Sequence, residues 1–184
     1  MEQAYYFIII GALLFEFILS TLSSILNMKS ISKVVPDGFQ DYYDEEKYAK
    51  SQLYLQDKTK LGLFSSAFSL LLILFVIHFG LFGKLDELVR SNSSNYITSG
   101  LLFFGILFLI NDVLNIPFSV YSTFVIEEKY GFNKTSVNTF ISDKFKGYGL
   151  TIVLGSAIIV PVLYFFNTFQ DNGWWIAWAL MTAF

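Results

Sequence analysis

Long apolar runs separated by polar connections are the dominant pattern along this chain. Four runs are almost free of charge, and a fifth follows them: residues 4–26, 61–82, 96–117, 148–169 and 174–184. A helix needs about 20 apolar residues to cross a hydrocarbon core of roughly 30 Å. The pattern therefore predicts an all-α, polytopic transmembrane helical bundle with about five spans.

The fifth run is too short to cross a membrane. As a helix, residues 174–184 rise only about 16 Å, roughly half of a bilayer core. We interpret this run as a fifth span that is truncated where the sequence stops. The alternative interpretation is a short interfacial helix, because Trp174, Trp175 and Trp178 are residues that suit the headgroup layer.

The positive charges fall on alternate connections. Residues 27–60 hold six lysines and residues 118–147 hold four, whereas residues 83–95 hold one lysine and one arginine. Lysine and arginine concentrate in the cytoplasmic connections of membrane proteins. This distribution predicts an N-terminus that lies outside or in the lumen, in a bacterial inner membrane or the endoplasmic reticulum.

Composition excludes several kinds of site. The chain has 54% hydrophobic and 15% charged residues, a net charge of −3, one histidine and no cysteine. A nucleic-acid partner is therefore not expected, and thiolate metal sites are excluded. His78 has no second histidine with which to form a zinc site, and the chain has no HExxH, GxSxG or P-loop motif. No catalytic residue, metal ligand or cofactor is predicted within this chain.

Polar side chains inside two spans repeat on one helix face. In the first span they are Glu16, Ser20, Ser23 and Asn27; in the third they are Asp112, Asn115, Ser119 and Ser122, with Asn111 beside them. Spacings of three and four residues place each set on one face. A carboxylate facing lipid is expensive, so both faces are expected to point to the bundle interior. Three roles are open to these polar side chains: hydrogen bonds between helices, the lining of a hydrated cavity, or a proton relay.

Two segments carry residue combinations that hydrophobic periodicity does not explain. Residues 117–134 read PFSVYSTFVIEEKYGFNK, with a cluster of Glu127, Glu128, Lys129, Gly131, Phe132, Asn133 and Lys134. The first long connection contains Pro36, Tyr54, Asp57 and Lys58. Both sets resemble signatures of the CAAX prenyl protease 1 family, the membrane zinc metallopeptidases called M48. The resemblance identifies residues 1–184 as an N-terminal membrane domain of such a protease, with the catalytic domain absent.

The resemblance implies a helical bundle that encloses a water-filled chamber, with zinc bound by an HExxH helix after the fifth span. It also implies that the partners are the bilayer, the missing catalytic domain and prenylated or membrane protein substrates. Because HExxH is absent here, the chain alone is expected to be inactive. The polar stripes then favour cavity lining, so the expected roles are chamber wall and substrate access. We interpret Glu127 and Glu128 as part of an ion-pair cluster with Lys129 and Lys134, rather than as a catalytic pair.

Two other functions stay open at this stage. Glu16 and Asp112, in separate spans, also suit a fragment of a proton-coupled transporter or channel. A homologue that has lost its catalytic half would instead act as a scaffold. Proton-driven uptake into liposomes distinguishes the transporter, and the sequence beyond Phe184 distinguishes the scaffold.

Overall fold

Long helices make up most of the chain in a computed structural model that describes residues 2–169, 174, 175, 178, 179 and 182. The helices are α1 (Glu2–Ser30), α2 (Glu45–His78), α3 (Leu81–Asn92), α4 (Tyr96–Tyr121) and α5 (Val137–Phe169). A π-helical segment, Ser122–Glu127, continues α4. The described residues contain no β-strand.

Four helical stretches are long and apolar enough to cross a membrane. They are Gln3–Ser30, Glu45–His78, Tyr96–Glu127 and Val137–Phe169. Each contains one of the first four predicted apolar runs or most of it, which confirms the all-α transmembrane class. The fifth predicted run, 174–184, lies largely outside the described residues, and those described within it are helical.

Two of these helices begin well before the apolar runs that they contain. The Asp44 carboxylate accepts the backbone N–H of Lys47 at 2.9 Å and caps α2. The Ser136 hydroxyl accepts the N–H of Thr139 at 3.2 Å at the start of α5. Such caps satisfy the donors of a first helical turn that have no partner inside the helix. Hydropathy marks the part of a helix that suits lipid, whereas the cap marks where the helix begins.

The second apolar run contains a break that the hydrophobic pattern did not predict. Helix α2 ends at His78, Gly80 has a φ of 62°, and α3 starts at Leu81. Glycine enters this left-handed conformation without the steric penalty of a side chain. Phe79 and Gly80 therefore interrupt the helix within the second apolar run, and most of the predicted connection 83–95 is helical.

Most large apolar side chains point outward. Among the described residues, the buried apolar side chains are Val35, Val89, Ile126, Tyr130 and Leu163. Many others, including Phe7 at 69% and Leu71 at 68%, are largely exposed. A surface this apolar would favour aggregation in water, but lipid tails solvate it well.

The described chain divides into two compact units. The first comprises residues up to Phe79 together with 115–134, and the second comprises 80–114 and the described residues from 135 onward. Within the second unit, α4 and α5 meet where Gly100 faces Leu163. A Cβ added at Gly100 would lie 2.5 Å from Cδ1 of Leu163, so a larger residue at this position would require the Leu163 side chain to shift.

Candidate functional site

Helix α4 widens where the 117–134 signature begins. Pro117 lies inside the helix and has no N–H to donate to the preceding turn. From Ser122 to Glu127 the backbone is π-helical, so its hydrogen bonds join residues five apart. Ser122 and Glu127 therefore face the same direction. In an α-helix, residues five apart would point about 140° away from each other.

Lys58 of α2 binds both of these residues. Its ammonium donates to Ser122 Oγ at 2.7 Å and to Glu127 Oε1 at 3.0 Å. The Tyr54 ring centroid lies 5.7 Å from the same nitrogen. The side chains of Lys58 and Glu127 are 35% and 26% exposed, so the pair is partly shielded from solvent. The π-helical geometry thus allows one lysine to hold both ends of the segment.

Asp57, the neighbour of Lys58, forms a second bridge to the signature. Its Oδ2 accepts the Lys129 ammonium and the Tyr130 hydroxyl, each at 2.7 Å. Burial, reinforced by the bond to Asp57, raises the pKa of Tyr130, which is only 6% exposed. The hydrogen bond to Asp57 raises the pKa of Lys129. Both groups are therefore held more firmly in their protonated forms than in water.

A tight turn returns the chain to α2 after Tyr130. Gly131 has a φ of 67°, and the N–H of Phe132 donates to the carbonyl of Glu127 at 2.8 Å. The Phe132 ring then lies 4.9 Å from the Tyr54 ring, in an edge-on arrangement. The Lys50 ammonium lies 5.9 Å from the centre of the Phe132 ring. Gly131 suits the turn because a left-handed residue commonly ends a helix in this way.

The structure thus brings together most of the two signature sets. Their charges pair across helices, because Lys58 binds Glu127 and Asp57 binds Lys129, while Glu128 accepts the side-chain amide of Asn133 at 2.9 Å. Pro36 and Lys134 are exposed. Pro36 lines a different recess, of about 480 Å³, together with residues of α1 and α2.

Sequence reasoning missed two bonding partners in this cluster. Ser122 was assigned to the polar stripe of the third span, with no link to Lys58. Tyr130 lies inside the signature but was not singled out. The only available signal for Ser122 is its position five residues before Glu127, which matters only once the segment is known to be π-helical.

Part of the predicted polar stripe lines a recess beside Lys58. The recess has a volume of about 410 Å³ and lies between α2 and the end of α4. Its polar lining comes from both helices: Lys58, Ser65, Asn115, Ser119, Ser122 and Thr123. Of the other predicted lining residues, Glu16, Ser20 and Asn111 are exposed. The structure therefore brings Asn115 and Ser119, from the polar stripe of the third span, together with Lys58, from the signature of the first long connection.

Asp112 belongs to the second unit and has partners on α5. Its Oδ1 accepts the Lys144 ammonium at 2.6 Å, and its Oδ2 accepts the Tyr148 hydroxyl at 2.6 Å. The side chains of Lys144 and Asp112 are 25% and 20% exposed. Lys144 precedes the fourth apolar run, so hydropathy alone places it in a connection and gives no sign of its contact with Asp112. That Glu16 and Asp112 face a hydrated interior stays a prediction.

The part of the chain that the structure describes does not fit a zinc site. It contains no group of three or more histidine, cysteine, aspartate or glutamate side chains that could hold a metal ion. The ring of His78 packs edge-on against Phe79, with 5.0 Å between ring centres. The donors around Asp57 and Asp112 are ammonium and hydroxyl groups, which compete with a metal for the carboxylates. We derive no metal-dependent step from these residues.

Comparison with known proteins gives one consistent match. The family described as CAAX prenyl protease N-terminal, with five membrane helices, matches residues 24–184. A probable CAAX prenyl protease 1 from Schizosaccharomyces pombe is 35% identical over 162 residues, covering 81% of this chain and 34% of that protein. CAAX prenyl protease 1 from Saccharomyces cerevisiae is 30% identical over 151 residues, covering 77% of this chain and 33% of that protein.

A solved structure is also similar. The crystal structure of S. mikatae Ste24p matches with a TM-score of 0.82 and 28% sequence identity, and the match covers 96% of this chain and 43% of that one. The chain spans about a third of the length of the curated relatives named above. These matches confirm the resemblance that the two signature segments indicated.

Proposed function

Because the chain belongs to the CAAX prenyl protease N-terminal family, we propose that it forms the membrane-embedded domain of a zinc metalloendopeptidase. In this role it provides part of the wall of a hydrated chamber and the access route for substrate. Its proposed partners are the bilayer and a catalytic domain that carries the zinc. The names of the relatives, CAAX prenyl proteases, support prenylated CAAX proteins as substrates, with other membrane proteins as the second class.

The observation that carries this proposal is the polar recess between α2 and the end of α4. Both helices belong to stretches apolar enough to span a membrane. Yet beside the apolar Leu61 and Phe118 the recess contains an ammonium, an amide and four hydroxyl groups, from Lys58, Ser65, Asn115, Ser119, Ser122 and Thr123. Such groups are expensive against lipid and well solvated by water. A surface of this kind suits the wall of an aqueous compartment.

The two ion-pair bridges have a positioning role in this proposal. Lys58 fastens α2 to both ends of the π-helical segment, and Asp57 fastens it to the residues that follow. The wall of the recess therefore keeps one shape when a substrate passes. Glu127 has its charge neutralised by Lys58, which favours this structural role over a role in proton transfer.

The bridges also bear on the proposed topology. They join residues 57 and 58, within the first lysine-rich connection, to residues 127 and 129, within the second. Direct ion pairs between the two require both to lie on one side of the membrane. This supports a shared side for both connections, and the excess of lysine in them makes the cytoplasm the proposed side, with the N-terminus outside or in the lumen.

Cysteine accessibility tests the proposed wall, because the natural chain has no cysteine. Single variants Ser119→Cys and Val120→Cys would be placed in lipid nanodiscs and treated with a charged, water-soluble maleimide. We expect Ser119→Cys to react and Val120→Cys to be protected by lipid, although Val120 is 38% exposed in the protein alone. Protection of both positions would refute the aqueous wall.

Labelling from either side of sealed vesicles tests the topology. Asp41→Cys is expected to react only with reagent on the cytoplasmic side, and Asn92→Cys only with reagent on the opposite side. The reverse pattern would contradict an external or lumenal N-terminus.

A further inference from the structure

The first unit contains another groove, which is apolar. It has a volume of about 620 Å³ and lies between α2 and the segment from Pro117 to Lys129. Its apolar lining includes Phe64, Tyr121, Val125 and Ile126, and its polar lining is formed by Asp57, Lys60 and Lys129. Only Leu61 and Phe118 also line the polar recess, so the two cavities present different chemistry.

The lining of the groove is open rather than packed against protein. Phe64 is 67% exposed, Tyr121 50% and Val125 46%, while Ile126 is buried at 4%. Three large exposed side chains around a buried aliphatic one form a surface on which a flexible hydrocarbon chain can lie. In a membrane, such a surface is in contact with lipid tails unless protein covers it.

The polar part of the groove carries a net positive charge. Lys60 and Lys129 contribute two ammonium groups, and Asp57 contributes one carboxylate. Lys129 is bound to Asp57 at 2.7 Å, whereas Lys60 approaches it only to 3.9 Å. The Lys60 side chain is 64% exposed, so most of its hydrogen-bonding capacity is available to a ligand.

The position of these charges along α2 fits the level of the lipid headgroups. Lys60 is the last charged residue before the apolar run that begins at Leu61. A lysine at such a boundary lies in the interfacial layer, and the groove that continues past Leu61 lies beside the acyl chains. Positive charge above an apolar groove is complementary to an anionic lipid.

We propose that this groove binds one anionic phospholipid from the surrounding bilayer. The phosphate lies near Lys60 and Lys129, and one acyl chain packs along Phe64, Tyr121 and Val125. This site shares only Leu61 and Phe118 with the proposed chamber wall, and it does not depend on proteolysis. It makes the contact between α2 and the signature segment sensitive to the lipid composition of the membrane.

Native mass spectrometry of the purified chain in detergent tests the proposal, with dioleoyl-phosphatidylglycerol and dioleoyl-phosphatidylcholine as probes. We expect one phosphatidylglycerol to be retained in preference to phosphatidylcholine. Lys60→Gln should weaken phosphatidylglycerol binding about fivefold, since one basic residue near a membrane surface contributes about 1 kcal/mol. Lys60→Arg should restore the binding. Lys146→Gln is the matched control, because Lys146 is 75% exposed and also lies beside an aspartate.

A second variant tests the acyl contact. Val125→Trp fills the groove from an exposed position, and we expect it to reduce phosphatidylglycerol binding while leaving helical content, measured by circular dichroism, unchanged. If Val125→Trp does not fold, Val125→Phe replaces it. Equal retention of the two lipids, or equal losses in Lys60→Gln and Lys146→Gln, would overturn the proposal. A different outcome is a dimer of the natural chain that Val125→Trp dissociates while lipid binding stays unchanged. That result would also overturn the proposal, since a second copy of the chain would then occupy the groove.

Discussion

Two aspartates, one in each compact unit, are bound by the same pair of groups in different settings. Asp57 and Asp112 each accept a lysine ammonium and a tyrosine hydroxyl at 2.6–2.7 Å. The lysine at Asp57, Lys129, is 61% exposed, whereas the lysine at Asp112, Lys144, is 25% exposed. The Lys129 ammonium therefore keeps much of its contact with water in the pair, whereas the Lys144 ammonium is held in a more shielded pair.

The geometry of the two sites also differs. Lys129 and Tyr130 are adjacent in the chain and bind one oxygen of Asp57, which requires the turn that follows the π-helical segment. Lys144 and Tyr148 are four residues apart on α5 and bind separate oxygens of Asp112, as neighbours on one helix face. The Asp57 site thus depends on an unusual backbone, while the Asp112 site joins two regular helices. We expect the Asp112 pair to contribute more free energy and the Asp57 pair to determine local geometry.

The largest expected effect is the loss of the lysine at Asp112. Lys144→Met would leave the carboxylate without its cation, and we expect about 2–3 kcal/mol of lost stability, somewhat below the range for a fully buried pair. Lys146→Met, on the same helix and beside Asp143, should change stability by less than about 0.5 kcal/mol. Denaturant unfolding in detergent measures both. Equal losses in the two variants would remove the distinction between the sites.

The hydroxyl at Asp57 should have a smaller effect. Tyr130→Phe removes one hydrogen bond from a buried ring and keeps its packing, so we expect a loss of about 1 kcal/mol. Tyr42→Phe is the control, because Tyr42 is 82% exposed, and it should leave the free energy of unfolding unchanged. A loss in Tyr130→Phe larger than that in Lys144→Met would reverse the ranking of the two sites.

Alkaline pH should weaken the Asp57 site. The folded protein raises the pKa of both Lys129 and Tyr130. Their contribution is complete below the unfolded pKa values, which are about 10 for tyrosine and 10.4 for lysine, and it is lost as the pH rises through the folded values. Thermal unfolding at increasing pH above neutrality should reveal this decline.

The matched variant for that experiment is Asp57→Asn. It removes the carboxylate whose hydrogen bond raises the pKa of Lys129 and adds to the effect of burial on the pKa of Tyr130. The stability of this variant should fall less steeply with alkaline pH than that of the natural chain. Identical pH profiles would mean that Asp57 does not control the titration of its neighbours.

Zinc should have no effect on either site. The carboxylates of Asp57 and Asp112 are occupied by lysine and tyrosine, and the chain has one histidine and no cysteine. We expect no stoichiometric zinc in the purified chain, no peptidase activity and no change in melting temperature with zinc or a chelator. Metal analysis that finds one tightly held zinc per chain would contradict this expectation.

The membrane class and both signature sets were predictable from the sequence. Apolar runs such as 61–82 are predictable because the side chains of a spanning helix contact lipid hydrocarbon. The residue combination around Glu127 identifies a family even when the contacts of these residues are unknown. The helix starts at Glu45 and Val137 were not predicted, because the first turns are polar and depend on capping. The turn at Gly80 was missed because the residues on both sides of it are apolar.

Hydropathy and periodicity do not predict the contacts between residues within the candidate site. Asp57 and Lys129 are far apart in the chain, and no periodicity encodes the distance between two helices. Lys144 was assigned to a connection, so Asp112 had no visible partner. The π-helical segment has no composition that distinguishes it from an α-helix, and the shared contacts of Lys58 depend on it.

The π-helical segment shifts the phase of every position that follows it. In a scan of single tryptophan substitutions along this helix, tolerant positions should recur every three to four residues as far as Tyr121. Across the next turn the interval lengthens to five, so the face that contains Ser122 continues at Glu127. A helical wheel drawn with regular α-helical spacing would therefore place Glu127 on a different side of the helix from Ser122.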